Sequence, residues 1–116
     1  MHHKDKNKKF GRERKVRTGF LRSLARNLVL NGRIITTEAR AKAIRPIVEK
    51  MVTCAKQDTV ANRRLISARL GNDAQATKKL FEMAPTYASR QGGYLRIVRV
   101  AVRPGDGAVR AYIGFV

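Results

Sequence analysis

The hydrophobic residues of this chain repeat at two different spacings, and the change between them limits which folds are available. From Thr18 to about Pro85, apolar residues recur every three or four positions, which is typical of amphipathic helices. After Gly92 and Gly93 the period becomes two, which is typical of strands. Helices followed by a hairpin predict an α+β domain in which the helices pack on one face of a small sheet.

The helical part divides into four segments, with one short strand between the first two. The first helix is predicted from Thr18 until Gly32 stops it, and the β-branched residues at 33–36 predict a brief strand. Side chains that commonly cap helices mark the starts of the next three helices: Thr37, Asp58 and Asp73.

Two strands at the end of the chain form the predicted hairpin. They cover Tyr94 to Val102 and Val109 to Val116, and the turn between them contains Pro104 to Gly107. Alternate residues of the last strand share a face that we expect to point into the core: Val109, Ala111, Ile113 and Phe115. The full order is α-β-α-α-α-β-β, and we expect a small mixed sheet.

The chain is strongly basic, and the excess charge is not confined to its beginning. The formal net charge is +18, from 26 Lys and Arg against 8 Asp and Glu. Residues 1–17 contain eight basic and two acidic side chains, so they carry +6 and the remaining 99 residues carry +12. Residues 1–17 also have few apolar groups, which predicts a disordered arm that a partner orders. Residues 18–116 are expected to form a single domain.

A polyanionic partner is needed to neutralise this charge, and nucleic acid is the commonest one. Sixteen of the basic residues are Arg, which forms two-pronged bonds to phosphate. A membrane surface is less suitable because the chain has no Trp and its aromatic residues are scattered. The single cysteine, the lack of a signal peptide and the lack of a long apolar run predict a soluble protein of the cytoplasm.

Catalytic chemistry has no candidate residues in the sequence. His2 and His3 lie in the predicted arm, and no histidine accompanies Cys54 in the domain. Of the eight acidic residues, four stand at predicted helix starts or in a turn, two lie in the arm and two lie among basic neighbours on helices, which leaves no acid/base pair. We therefore expect no enzyme activity, no cofactor and no metal site, and an RNA-modifying enzyme is disfavoured.

Two groups of arginines in the helices are candidate contacts to nucleic acid. Arg22 and Arg26 lie opposite the apolar stripe of the first helix, and Arg33 follows it. Arg63 and Arg64 lie at the start of the third helix, where a phosphate could meet side chains and unpaired backbone N–H groups. An ordinary solvated helix surface is the alternative for both groups.

A third candidate is the segment that enters the hairpin. Gly92 and Gly93 would let a backbone or a phosphate approach closely, and Tyr94 is either a platform for an unpaired base or part of the core. Arg96 and Arg99 point to opposite faces of the strand. At least one of them must point away from the helices unless it pairs with an acid such as Glu49 or Glu82.

Five segments of the chain resemble a known family in the same order. They are ITTEARAKAIRPIVEKMVTCAK (35–56), VANRRL (60–65), KKLF (78–81), ASRQGGYLRI (88–97) and RPGDGAVRAYI (103–113). The chain resembles the bacterial ribosomal protein L17 family from about Gly11 to Val116. It departs from the residues usual in that family at Val16, Arg33 and Gly114.

The resemblance implies a structural component of the large ribosomal subunit with a two-layer fold. Such a protein binds large-subunit (23S) ribosomal RNA near the rim of the peptide exit tunnel and touches neighbouring ribosomal proteins. The expected RNA-binding residues are Lys8, Lys9, Arg12, Arg14, Lys15, Arg17, Arg22, Arg63, Arg64, Arg90, Gly92, Gly93, Arg96 and Arg99. The alternative is a free DNA-compacting protein, which would be expected to dimerise. No extended apolar stripe remains for a dimer interface, so we expect no obligate homo-oligomer.

Overall fold

The computed structural model describes the backbone of residues 14–116 and the side chains from Val16 onward, and its elements follow the predicted order. They are α1 (Arg14–Asn31), β1 (Arg33–Thr37), α2 (Glu38–Ala55), α3 (Val60–Arg69), α4 (Ala74–Met83), a 3₁₀ helix (Ala84–Tyr87), β2 (Leu95–Val102) and β3 (Val109–Phe115). The α+β prediction is confirmed. Within the described residues, no helix combines the length and the apolar character needed to cross a bilayer.

The first helix begins at Arg14, four residues earlier than predicted. Residues 14–17 therefore belong to α1 and not to a separate disordered arm. The run of charge concealed this start, although arginine and lysine are themselves good helix formers. The predicted arm up to residue 13 lies outside the described residues.

Two of the three predicted helix caps are confirmed, and the third is wrong by one residue. The Oγ1 of Thr37 accepts a hydrogen bond from the N–H of Arg40 at 3.4 Å, and Asp73 Oδ1 accepts one from Ala76 at 3.0 Å. For α3, the cap is Thr59 and not Asp58. The extended Thr59 (φ −117°, ψ 160°) accepts from the N–H of Asn62 at 3.1 Å, and the Asp58 carboxylate binds a side chain instead.

The sheet has three strands in the order β1-β3-β2, and it is wholly antiparallel. The prediction of a mixed sheet is therefore wrong. β1 and β2 run in the same direction, but β3 lies between them and runs opposite to both. Cross-strand partners fix the faces: Ile34 and Ile97 both stand opposite Ile113. The register of β2 shifts between Arg99 and Ala101, which places a bulge at Val100.

The core lies between α2 and one face of the sheet. α2 packs against all three strands and buries Ile44, Val48 and Met51. From β3, Ala111 and Ile113 are fully buried, which confirms the face predicted for them. On the opposite face, the residues Ile35 and Val98 are 54% and 47% exposed to solvent. The helices therefore cover one side of the sheet, and the other side is left uncovered within the described part of the chain.

Candidate nucleic-acid interface

Five of the acidic side chains in the described residues are engaged by basic ones, which shows which cations are already neutralised. Ion pairs join Arg26 to Asp73, Arg45 to Glu49, Arg63 to Asp58, Arg103 to Asp106, and both Lys42 and Arg99 to Glu38. Among residues 16–116, no three metal-binding side chains come together. These five acids therefore serve the fold, and the charges of the cations outside these pairs are not neutralised by any described acid.

A basic groove of about 470 Å³ lies between α3 and α4. Its lining includes the exposed cations Arg64 and Lys78 and the hydroxyl-bearing side chains of Ser67 and Thr77. Neither Arg64 nor Lys78 has an ion-pair partner within the described residues. We call this the α3–α4 groove, and its charge and the hydroxyl of Ser67 suit a phosphate backbone, whereas the buried Thr77 hydroxyl already donates to the carbonyl of Asp73 at 2.8 Å.

Arg63 borders the same groove but is held in place by the protein itself. Its Nε and Nη2 donate to the two carboxylate oxygens of Asp58 at 2.5 and 2.8 Å, and its guanidinium lies 4.9 Å from the centre of the Phe81 ring. The hydrogen bond from Arg63 holds the pKa of the Asp58 carboxyl below its ordinary value. Arg63 therefore ties the start of α3 to α4, whereas its neighbour Arg64 faces outward.

A second basic surface borders α1. The exposed side chains of Arg22 and Arg69 line a groove of about 290 Å³ whose floor includes Leu21, Ile47 and Met51. Arg26 does not belong to this surface, although the helical pattern placed it beside Arg22. Its Nε lies 3.8 Å from an oxygen of Asp73, so it links α1 to the start of α4.

The two glycines before β2 are needed for their backbone angles. Gly92 and Gly93 have φ values of 107° and 66°, which other residues rarely adopt. A Cβ placed on either would meet no described atom within 4 Å. Of the two expected close approaches, that of a protein backbone is therefore not seen among the described residues, and that of a phosphate stays a prediction. Arg90 steadies the turn by donating from Nη1 to the carbonyl of Gly93 at 3.2 Å.

Tyr94 belongs to the core, so the alternative of a base platform is wrong for this residue. Its side chain is 1% exposed, and its hydroxyl lies 3.2 Å from Thr53 Oγ1 and 3.2 Å from the carbonyl oxygen of Arg90. The ammonium group of Lys56 lies 4.8 Å from the ring centre. That ammonium, followed by the Thr53 hydroxyl, lowers the pKa of the Tyr94 hydroxyl.

Arg96 and Arg99 lie on opposite faces of β2, as the alternation predicted. Arg99 shares the face of the buried Ala111, and its Nε binds Glu38 at 2.5 Å. Its acid partner is Glu38, and not Glu49 or Glu82, which the sequence offered as examples of a possible partner. Glu49 instead pairs with Arg45 and accepts the N–H of Leu95 at 3.4 Å, which fastens the start of β2 to α2.

Arg96 lies on the uncovered side of the sheet, together with two further arginines. We call this side the open face, and its central rows consist of Arg33, Gly114 and Arg96; Ile35, Tyr112 and Val98; and Thr37, Arg110 and Ala101. None of these nine residues is acidic. Sequence reasoning missed Arg110, as it missed Lys78 in the α3–α4 groove. The alternation of β3 contained the signal, because residues opposite in phase to the buried Ala111 must face outward.

The expected RNA-binding residues thus lie in several different parts of the chain. Lys8, Lys9 and Arg12 lie outside the described residues, and Arg14 and Lys15 lie in α1 without described side chains. Arg17 is half-buried in α1 and Arg22 is exposed there. The remaining residues occupy the α3–α4 groove, the glycine turn or β2: Arg63, Arg64, Arg90, Gly92, Gly93, Arg96 and Arg99.

Known proteins match this chain over almost its whole length. The model of a family described as ribosomal protein L17 matches residues 20–116. A protein of Thermomicrobium roseum named large ribosomal subunit protein bL17 is 48% identical over 117 residues, which cover 100% of this chain and 99% of that relative. A protein of the same name from Persephonella marina is 48% identical over 118 residues, covering 100% and 95%. One from Shouchella clausii is 47% identical over 116 residues, covering 93% and 97%.

Proposed function

Because the chain belongs to the ribosomal protein L17 family, we propose that it is a structural constituent of the large ribosomal subunit that binds and neutralises that subunit's RNA. The role is non-catalytic. The named relatives support the ribosomal assignment, and the distribution of cations supports the contact with RNA.

The observation that carries the proposal is the separation between paired and unpaired cations. Three of the paired arginines connect separate parts of the fold: Arg26, Arg63 and Arg99. Three surfaces carry cations that have no acid partner among the described residues: the α1 surface (Arg22 and Arg69), the α3–α4 groove (Arg64 and Lys78) and the open face (Arg33, Arg96 and Arg110). One core holds these surfaces at fixed positions, so the domain can bring together RNA segments that would otherwise repel each other.

The finer features of the proposal rest on the family resemblance. They are a position near the rim of the peptide exit tunnel, contacts with neighbouring ribosomal proteins, and a cytoplasmic location as part of the ribosome. The arm residues Lys8, Lys9 and Arg12 are included as RNA contacts on the same basis. The charge of residues 1–17, +6, agrees with that assignment.

Salt dependence of binding to large-subunit rRNA transcribed in vitro tests the contact with RNA. The slope of log K against log salt is negative, and each lost phosphate contact should lower its magnitude by about 0.7 to 0.9. Arg64→Ala with Lys78→Ala should therefore lower the magnitude of the slope by roughly 1.5. The matched control removes the same charge from cations that are already paired, Lys42→Ala with Arg45→Ala, and should lower it less.

Two results would count against this assignment. An unchanged slope for the Arg64 and Lys78 variant would remove the α3–α4 groove from the interface. Equal affinity of the wild-type chain for duplex DNA of random sequence and for the rRNA would favour a general nucleic-acid binder over a ribosomal component.

A further inference from the structure

The centre of the open face holds an aromatic ring between apolar neighbours. Tyr112 lies in the middle strand, with Ile35 opposite it on β1 and Val98 opposite it on β2. Ile35 and Val98 are 54% and 47% exposed, and the tyrosine is partly exposed. These three side chains form a continuous apolar strip across the uncovered side of the sheet.

The missing side chain of Gly114 determines where the ring of Tyr112 lies. A Cβ on Gly114 would come within 2.8 Å of the Tyr112 hydroxyl oxygen, closer than such atoms approach, and within a tight 3.0 Å of ring atom Cζ and of Arg33 Cβ. The ring therefore extends along the strand over the backbone of Gly114. Any other residue at this position would force the ring away from the sheet. Glycine is needed here for space, since this residue is not among those with positive φ.

Three cations share the open face with the ring, and none of them has an acid partner within the described residues. Arg33 and Arg96 stand on either side of Gly114, over which the ring lies, and Arg110 lies in the row on the other side of Tyr112. The guanidinium carbon of Arg33 lies 5.8 Å from the centre of the Tyr112 ring. The open face thus combines an aromatic and apolar centre with a rim of positive charge and carries no acidic side chain.

We propose that the open face binds an unpaired nucleotide of RNA, with its base stacked on Tyr112 and the adjoining phosphates held by Arg33, Arg96 and Arg110. The proposal rests on the RNA-binding function proposed above and adds the chemical class of the bound segment. Bases have flat apolar faces that stack on aromatic side chains, and their backbone supplies the matching negative charge.

Other polyanions fit the same surface less well. A paired RNA helix presents phosphates but hides the faces of its bases, so it would use the three arginines and leave the apolar strip uncovered. An acidic peptide would meet the arginines as well, but its carboxylate side chains have no extended flat face to stack on the ring, whereas every nucleotide carries a base. The open face therefore favours single-stranded RNA.

Ultraviolet crosslinking within purified large subunits tests the stacking directly. Irradiation at short wavelength joins a base to an aromatic side chain stacked on it, and mass spectrometry then identifies the modified peptide. Trypsin cleaves after Arg110, and the next peptide begins with AYIGFV, in which the aromatic residues are Tyr112 and the core-facing Phe115. The expected result is a nucleotide adduct on Tyr112. Adducts on other peptides of this chain with none on Tyr112 would overturn the inference while leaving RNA binding intact.

Affinity of the isolated full-length chain for a ten-nucleotide oligoadenylate gives a second, quantitative readout at fixed low salt. Tyr112→Leu should weaken binding by about 5- to 100-fold, since stacking contributes at that scale, and Tyr112→Phe should bind within about twofold of wild type. Binding of the leucine variant to a ten-base-pair RNA duplex should stay within about twofold. Equal losses for the oligonucleotide and the duplex, or no loss for either, would contradict stacking. Absence of the chain from large subunits would instead contradict the proposed function.

Discussion

Arg63 and Asp58 form a two-pronged ion pair that closes the start of α3, with both nitrogen–oxygen distances at or below 2.8 Å. The next residue, Arg64, lines the α3–α4 groove without an acid partner in the described residues. Adjacent helical residues point about 100° apart, so two neighbouring arginines can have different roles. One fixes the helix, and the other is available to RNA.

Separate alanine substitutions should distinguish the two roles. Arg63→Ala removes the ion pair and the contact with Phe81, so it should lower the melting temperature slightly but measurably, as expected for an exposed ion pair. Arg64→Ala should leave the melting temperature unchanged and reduce incorporation into the large subunit in competition with wild type. Thermal unfolding followed by circular dichroism checks the first effect. Equal melting temperatures for the two variants would show that the pair has no structural role.

The cap of α3 supports a second prediction. Thr59→Ala removes the acceptor for the N–H of Asn62 and should lower the free energy of unfolding by about 1 kcal/mol. Denaturant titration gives this quantity. Thr86→Ala is the matched control, because that threonine is exposed and its side chain caps no helix. A loss of equal size in the control would mean that the cap contributes nothing specific.

Gly93 supports a third prediction, which depends on its backbone angle. Gly93→Ala forces a Cβ into the left-handed region at φ 66° and should lower the free energy of unfolding by about 1–2 kcal/mol. Gly19→Ala is the control with the opposite sign. Gly19 lies inside α1 with open space where the methyl group of alanine would lie, so this substitution should raise stability by about 0.5–1 kcal/mol. Stabilisation by alanine at both positions would contradict the angle observed at Gly93.

The hairpin turn supports a prediction about pH. The guanidinium of Arg103, followed by the N–H of Ala108, lowers the pKa of the Asp106 carboxyl to about 2. Because the pKa is lower in the folded state, the contribution of the carboxylate is complete above the ordinary value of 3.8 and is lost as the pH falls through about 2. Carbon-13 NMR of the Asp106 carboxyl should give a midpoint near 2, and Arg103→Ala should raise it. A wild-type midpoint near 3.8 would exclude the ion pair in solution.

Local patterns in the sequence contained most of the fold. The change of period after Gly93 located the hairpin, and the alternation in β3 identified Ala111 and Ile113 as core residues. The sequence did not contain the strand order, since the placement of β3 between β1 and β2 depends on pairing over more than 70 residues. That long-range pairing is why the sheet is antiparallel and not mixed.

The candidate site was less accessible to sequence reasoning. Composition predicted a polyanionic partner, but it could not show that Arg63 and Arg64 have different roles. Those roles depend on the position of the helix cap, which is one residue later than predicted, and on Phe81, which is distant in the sequence. The sequence offered Tyr94 as a candidate platform for an unpaired base, but its side chain is buried. Tyr112 belongs to no recognisable motif, although its alternation with the buried Ala111 and Ile113 in β3 places it on the open face.

Sedimentation of a tagged copy from cell lysate tests the central claim most directly. Sucrose gradients at low salt and at roughly 0.5 M salt compare loosely held with integral components, because that ionic strength screens exposed charges within a few ångströms. A constituent of the large subunit should remain with that subunit in both gradients. Release to the top of the gradient at high salt, or movement with DNA that is abolished by DNase, would contradict the account.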